Sequence, residues 1–365
     1  MHEGGMPSGG MHEAGISAPG DGALTLGDPA AAEPASEFAE AAIEQCRLLL
    51  AIEVDRVEWP GGRDRQSLRA RLPGQAVIVT RRPSERRAEL EAHVLRVLER
   101  RGAPVPALLA ASGSWLIQED VGSFRLSAAL NAGDPGLGEE ALEAGLSALR
   151  LLQEAGRDAG LERRVAIIGA GRDWLERLID QPRRLGQRLG LSAPQLDSGR
   201  LLELLRPVAP SFVKWDARPA NAALDLYGHI GWFDWQYSGC RDPLDDMAWL
   251  LTDEFVPLWP QIEGRLIERH LVAFAGRRAA SDALIYLRTF GTLHMLLRLG
   301  LIIDSKGEGP WWRWSTCLTE DKVGVTRQAV ERLCKRAAAW STEAPALSAL
   351  ASWLELLPER IGAEA

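Results

Sequence analysis

The spacing of apolar positions divides the chain into three stretches of different character. Residues 1 to about 36 show no sustained apolar period and are rich in Gly, Ala, Pro and Ser. Such a stretch has too little to bury to offset the entropy of ordering, so a flexible tail is expected there. An amphipathic helix is predicted from about Glu37 to Ile52. From Trp59 to Ile117 the pattern shortens to strand-length runs. Ser67–Leu72 and Gln75–Thr80 flank Pro73-Gly74, a dipeptide suited to a tight turn. A helix over about Ser84–Arg101 follows, with apolar positions at Leu90, Val94, Leu95, Val97 and Leu98, and stops at the proline-bearing run 102–106. Ala107–Ala111 and Trp115–Gln118 read as a second strand pair.

After Gly122 the period becomes helical. The expected helices are Glu139–Glu154, Arg172–Leu189, Ser198–Arg206, Leu244–Asp253, Pro260–Phe274, Ala279–Leu301, Thr319–Trp340 and Ala344–Leu356. Short strands at Ser211–Trp215, Ala222–Leu226 and His229–Phe233 interrupt them, the last two joined by Tyr227-Gly228. The predicted class is α+β, with a tail (1–36), a small sheet-containing lobe (37–122) and a large helical lobe (123–365).

Composition narrows the function classes. A net charge of −8 argues against nucleic acid as the main partner. No run of 18 apolar residues is present, and the first residues lack the basic and apolar regions of a secretory signal. A cytoplasmic protein without membrane attachment is therefore expected. Cys46, Cys240, Cys317 and Cys334 are too scattered for a zinc site or a disulfide framework and read as buried or semi-exposed thiols. Every lysine lies at or after Lys214, so any cationic chemistry in the small lobe must come from arginine.

The segment from Phe212 to Leu251 carries the densest chemistry: FVKWDARPANAALDLYGHIGWFDWQYSGCRDPLDDMAWLL. Asp216 and Asn221 sit five apart on a loop leaving a strand, and Asp234 follows the next hairpin. Phosphoryl transfer needs that inventory: a carboxylate to orient a hydroxyl and take its proton, and hard oxygen ligands for magnesium. Asp216 suits the base, and Asn221 and Asp234 suit the metal. Taken singly, such residues are ordinary turn formers.

Together the motifs resemble the aminoglycoside phosphotransferase and choline kinase family, whose pattern is H-G-D-x-x-x-x-N, then I-D-W-[EQ], then G-D-P-x-x-D-L-A. Asp216 and Asn221 match the first motif, Phe233-Asp234-Trp235-Gln236 the second and Asp242 to Ala248 the third. The chain departs from the pattern at Lys214-Trp215, where the family has His-Gly, and at Arg241, where it has Gly. The resemblance implies a two-lobed protein-kinase-like fold, with ATP and Mg²⁺ in the cleft and a small-molecule hydroxyl as acceptor. It also implies that Asp246 caps a helix and braces the catalytic loop, while Lys214 either shapes that loop or contacts phosphate.

In the small lobe the resemblance implies a cation that pairs with phosphate and a helix Glu that holds it. Val77 to Pro83 aligns Arg81 with that cation, with Arg82 one register away; Glu91 is the helix Glu, with Glu89 as the alternative. Trp115 to Gly122 resembles the hinge, whose backbone near Glu119 and Val121 would bond adenine. Gly61-Gly62 occupies the place of the phosphate loop, although such a pair is also a routine turn. For the acceptor two signals compete. Trp311, Trp312 and Trp314 with Asp253 and Glu254 suggest a cationic amino alcohol or amino sugar, while Lys214 and Arg218 suggest an anion. The reading is an ATP-dependent small-molecule kinase. Its rival is a kinase-fold nucleotide-binding or regulatory protein without turnover.

Overall fold

The computed structural model describes residues 35–169 and 171–363. Residues 1–34 of the expected tail lie outside the described residues, and Ala35 and Ser36 already belong to the first helix.

Helix α1 (Ala35–Leu50) is followed by β1 (Arg56–Glu58), β2 (Ser67–Leu72) and β3 (Gln75–Arg81), then α2 (Glu85–Glu99), β4 (Leu108–Ser112) and β5 (Trp115–Glu119). The strands form one antiparallel sheet in the order β1-β2-β3-β5-β4. Strand alternation gives the sheet two apolar faces. Phe38, Ala42 and Cys46 of α1 pack on Leu68, Ala70, Val77, Val79 and Ile117, whereas Ala88 and Ala92 of α2 pack on Leu116 from the other side. Ser84 starts α2 as its N-cap, its hydroxyl accepting from the Arg87 amide.

The chain crosses into the large lobe through β6 (Phe124–Arg125) and α3 (Leu126–Leu130). It continues through α4 (Pro135–Asp158), α5 (Arg172–Ile179), α6 (Gln181–Arg188) and α7 (Ser198–Leu204). The short strands β7 (Ser211–Val213), β8 (Ala222–Leu224), β9 (Ile230–Trp232) and β10 (Gly239–Arg241) come next. Helices α8 (Leu244–Leu251), α9 (Pro260–Phe274), α10 (Ala280–Lys306), α11 (Trp314–Thr319), α12 (Arg327–Thr342) and α13 (Ala351–Ala363) complete it. Strands β6, β8 and β9 form one small sheet, and β7 pairs with β10. This is the two-lobed, protein-kinase-like arrangement, and the segment that begins at Phe212 runs through the two small sheets. No described helix is long and apolar enough to cross a membrane.

Local chemistry explains where elements differ from the pattern. The expected single helix Arg172–Leu189 breaks at Asp180, because Pro182 cannot donate to the preceding turn and instead sits in the first turn of α6. The expected start at Thr319 is replaced by Thr326, whose hydroxyl caps α12 by accepting from the Ala329 amide at 3.1 Å. The last helix begins at Ala351, after a single 3-10 turn at Ser348–Leu350.

Candidate active site

The loop leaving β7 is held from below by one buried carboxylate. Asp246, in the first turn of α8 and fully buried, accepts from the amides of Lys214 (2.9 Å) and Trp215 (2.8 Å) and from Gln153 Nε2 (2.9 Å). Burial raises its pKa, while these bonds favour the charged form. The loop then turns through two left-handed residues, Trp215 (φ 53°) and Asp216 (φ 51°). Left-handed backbone at a non-glycine residue costs on the order of 1 kcal/mol. The Trp215 ring offsets it by packing among Trp174 (5.8 Å), Trp249 (5.4 Å) and Phe290 (6.3 Å). The bulky residue in the glycine position is thus anchored in the core, away from the cleft.

Lys214 is 1% exposed, which excludes the suggested phosphate contact. Its Nζ donates to the main-chain carbonyls of Asp216 (3.3 Å) and Asp234 (3.2 Å) and lies over the rings of Trp232 (5.5 Å) and Trp235 (5.3 Å). Burial lowers its pKa, opposed by Asp216, Asp234, Asp246 and Glu91. One ammonium therefore ties together the two turns that present the site carboxylates.

Asp216 Oδ2 accepts from Asn221 Nδ2 at 2.9 Å, and the same nitrogen donates to the Asp216 carbonyl at 3.0 Å. This turns the amide oxygen of Asn221 away from Asp216, free in direction for a metal. Burial pushes the Asp216 carboxyl up to about 6, with Arg218 and Lys214 pulling the other way. Asp234 is also left-handed (φ 60°). Burial works against its charge, yet Arg82 and Lys214 outweigh burial and hold it below the usual carboxylate range. Its Oδ1 is buried, 3.0 Å from Arg82 Nη2, but without hydrogen-bond alignment to any described group. The Asp234 carboxylate and the Asn221 amide oxygen are hard ligands of the kind that suits magnesium, which takes one or two protein oxygens and completes its shell from phosphates and water. Among the described residues no cluster of three or more His, Cys, Asp or Glu forms a cage of its own.

In the small lobe the guanidinium that reaches the helix Glu is that of Arg82. Arg82 donates to both oxygens of Glu91, from Nε at 2.5 Å and Nη2 at 2.7 Å. Glu91 is fully buried and also accepts from Gln118 Nε2 (3.2 Å) and from the Trp235 amide (3.2 Å). The alignment expected Arg81 to be the arginine held by Glu91; the residue held there is its neighbour Arg82. Arg81 shares its face with Val77 and Val79, and its guanidinium lies 5.5 Å from the Trp115 ring and 5.8 Å from Phe38, on the α1 side.

At the hinge the Glu119 amide donates to the Ala107 carbonyl at 2.9 Å, and the Val121 side chain covers Gly231. Asp120, which motif reading passed over, anchors this connection through Arg69 at 2.6 and 3.0 Å. Gly61-Gly62 forms the turn between β1 and β2, with the Gly62 amide donating to the Trp59 carbonyl at 3.2 Å. On the far side of the cleft, Asp253 and Glu254 are fully buried and bonded by Arg218 (2.7 and 3.3 Å). His294 is packed against Trp249 at 4.1 Å, and all four cysteines are buried thiols.

The solved structure of a choline/ethanolamine kinase family protein from Mesorhizobium loti is similar in fold, at 17% identity over 88% of this chain and 99% of that one, with a TM-score of 0.53. A macrolide 2'-phosphotransferase from Brachybacterium faecium matches at 14% identity, 73% and 93% coverage and a TM-score of 0.49. A choline kinase from Streptococcus pneumoniae matches at 16%, 81% and 99%, with a TM-score of 0.44. No curated protein sequence matches at a significant level. Residues 56–281, more than half of the chain and including every motif of the catalytic segment, match the phosphotransferase enzyme family. The chain belongs to that family.

Proposed function

We propose that the protein is a kinase that transfers the terminal phosphoryl group of ATP to a hydroxyl of a small molecule. The observation that carries this reading is the grouping of Asp216, Asn221 and Asp234 around Lys214, facing the Arg82–Glu91 pair. In this reading Asp216 accepts the acceptor's proton as its oxygen forms a bond to the terminal phosphorus. The bond from that phosphorus to the bridging oxygen breaks, and ADP leaves with its electron pair. Arg82, held by Glu91, faces the phosphate charge, and backbone near Glu119 and Val121 receives the adenine. Asn221 and Asp234 would hold magnesium, which when bound neutralises phosphate charge and fixes its orientation. An ATP-consuming reaction suits the cytoplasm, where the nucleotide is abundant.

The test is ADP release with a panel of hydroxyl compounds, in wild type and in Asp216→Asn. The variant is expected to lose about 10²–10⁴-fold in kcat with an unchanged circular dichroism spectrum. Full activity in the variant would sink the assignment of the base. Binding of Mg-ATP with no turnover on any acceptor would favour a nucleotide-binding protein without catalysis.

A further inference from the structure

We propose that Arg241 is a positioning residue for the reaction: its buried guanidinium fixes the ring of Trp215, and with it the left-handed turn that presents Asp216. This rests on the phosphotransfer reading and adds one residue to it. Arg241 ends β10, the strand that pairs with β7, and β7 leads into the loop that carries Asp216.

Arg241 is 0% exposed, and its guanidinium carbon lies 4.4 Å from the centre of the Trp174 ring, 5.6 Å from Phe290 and 5.8 Å from Trp215. Trp174 and Phe290 also pack on the Trp215 ring, so one cation and three rings form a single buried cluster. The chain closes over this cluster at Gly169, where a β-carbon would come within 2.7 Å of the Trp174 ring and 3.1 Å of Arg241 Nη1.

The guanidinium is itself anchored. Its Nε lies 2.6 Å from Asp245 Oδ2, and its Nη1 donates to the Ile168 carbonyl at 3.4 Å. Asp245 is fully buried in the first turn of α8, and its other oxygen accepts from the Tyr286 hydroxyl at 2.8 Å. Its neighbour in that turn is Asp246, which holds the amides of Lys214 and Trp215. The start of α8 therefore reaches the loop twice, through Asp246 to the main chain and through Asp245 and Arg241 to the Trp215 ring.

The ring needs that second hold. Its Nε1 is buried without a hydrogen-bond partner among the described residues, and Trp174, Trp249 and Phe290 offer it apolar contact alone. Aromatic packing fills the space around a ring but tolerates several tilts, whereas a desolvated cation selects the electron-rich face. Trp215 and Asp216 are left-handed in succession, at φ 53° and 51°. A rotation at Trp215 therefore carries the Asp216 carboxylate with it.

The test follows ADP release from Mg-ATP by the full-length protein, with the panel of hydroxyl compounds, beside crystal structures of wild type and variant. Arg241→Met combined with Asp245→Asn removes both charges and leaves no unpaired carboxylate in the core. This variant is expected to lose about 10²-fold in kcat while its KM for Mg-ATP stays within about threefold. Arg241→Lys keeps a cation beside the rings and should recover at least about tenfold of that loss. Trp215→Leu removes the ring through which Arg241 acts, so adding the two charge-removing changes to it should lower kcat no further. Losses that multiply, a wild-type kcat in the charge-free variant, or a raised KM with kcat intact would each overturn the proposal. If the charge-free variant does not fold, Arg241→Gln is carried through the same cycle with the same expectations. In the crystal structure the variant should show the Trp215 ring displaced and Asp216 outside the left-handed region. An unmoved turn would overturn the proposal whether or not the protein turns over ATP, whereas absence of ADP release from wild type with every compound would sink the phosphotransfer reading itself.

Discussion

At the scale of single residues, Arg81 and Arg82 divide two jobs between the two faces of one strand. Arg82 reaches Glu91 and Asp234, and Arg81 stacks on Trp115. Arg82→Ala is therefore expected to lower kcat/KM for ATP by about 10²–10³-fold. Arg81→Ala should leave it within about threefold and cost about 1 kcal/mol of stability, read from urea unfolding. Lys214→Met keeps the apolar stem but removes the ammonium from two carbonyls, and should lower kcat by about 10²-fold with Lys214→His recovering part of it. Equal kinetics in Lys214→Met and wild type would show that the turns hold without it. The grouping of Asp216, Asn221 and Asp234 was legible because two of them share one loop and the third follows a hairpin. The choice between Arg81 and Arg82 depended on which face of β3 meets α1, and so did the use of Asp253 and Glu254 as buried partners of Arg218. Both are tertiary facts that spacing does not contain.

At the scale of elements, the catalytic loop inherits its position from close packing beneath it. A β-carbon on Gly156 of α4 would come within 2.3 Å of the Phe212 ring on β7, so that glycine lets helix and strand touch. Alanine normally favours a helix over glycine by about 1 kcal/mol, but here the overlap dominates. Gly156→Ala is expected to destabilise the protein by about 1–3 kcal/mol and to lower activity by shifting β7, a combination that urea midpoints and ADP release check together. Pattern reading recovered β2, β3, α2 and the full extent of α9, whose periods are long and clean. It missed β1, β6 and β10, which are two or three residues long and exist through pairing, β1 with the next strand and β6 and β10 with distant ones. It also ran α5 and α6 together, because the apolar period continues across a proline that the backbone cannot.

At the scale of the molecule, the two lobes are joined through the site itself. Glu91 accepts from the Trp235 amide, Arg82 faces Asp234, and Arg87 donates to the Gln236 carbonyl at 3.2 Å. Stability also depends on a buried imidazole in the large lobe. Burial first, then Arg298, push the His294 pKa down to about 3, and Thr252 lies 2.9 Å from its Nδ1. The unfolded chain takes a proton there below about 6.5 and the folded chain does not. Stability is therefore present in full above about 6.5 and falls as pH drops towards 3, by at most about 1.4 kcal/mol per pH unit for this group. Urea midpoints from pH 7 to 4 should show a shallower slope in His294→Gln than in wild type. Equal slopes would mean that the imidazole does not titrate on unfolding.

Asp246 grips amides of the main chain and leaves the side chains above it unspecified. Every residue type except proline offers that amide, so the grip of Asp246 does not itself require His-Gly, provided the side chains there brace the turn as Lys214 and Trp215 do here. A lineage can rewrite the letters of this loop without redrawing it, and a search that looks for His-Gly will pass over members whose backbone is intact.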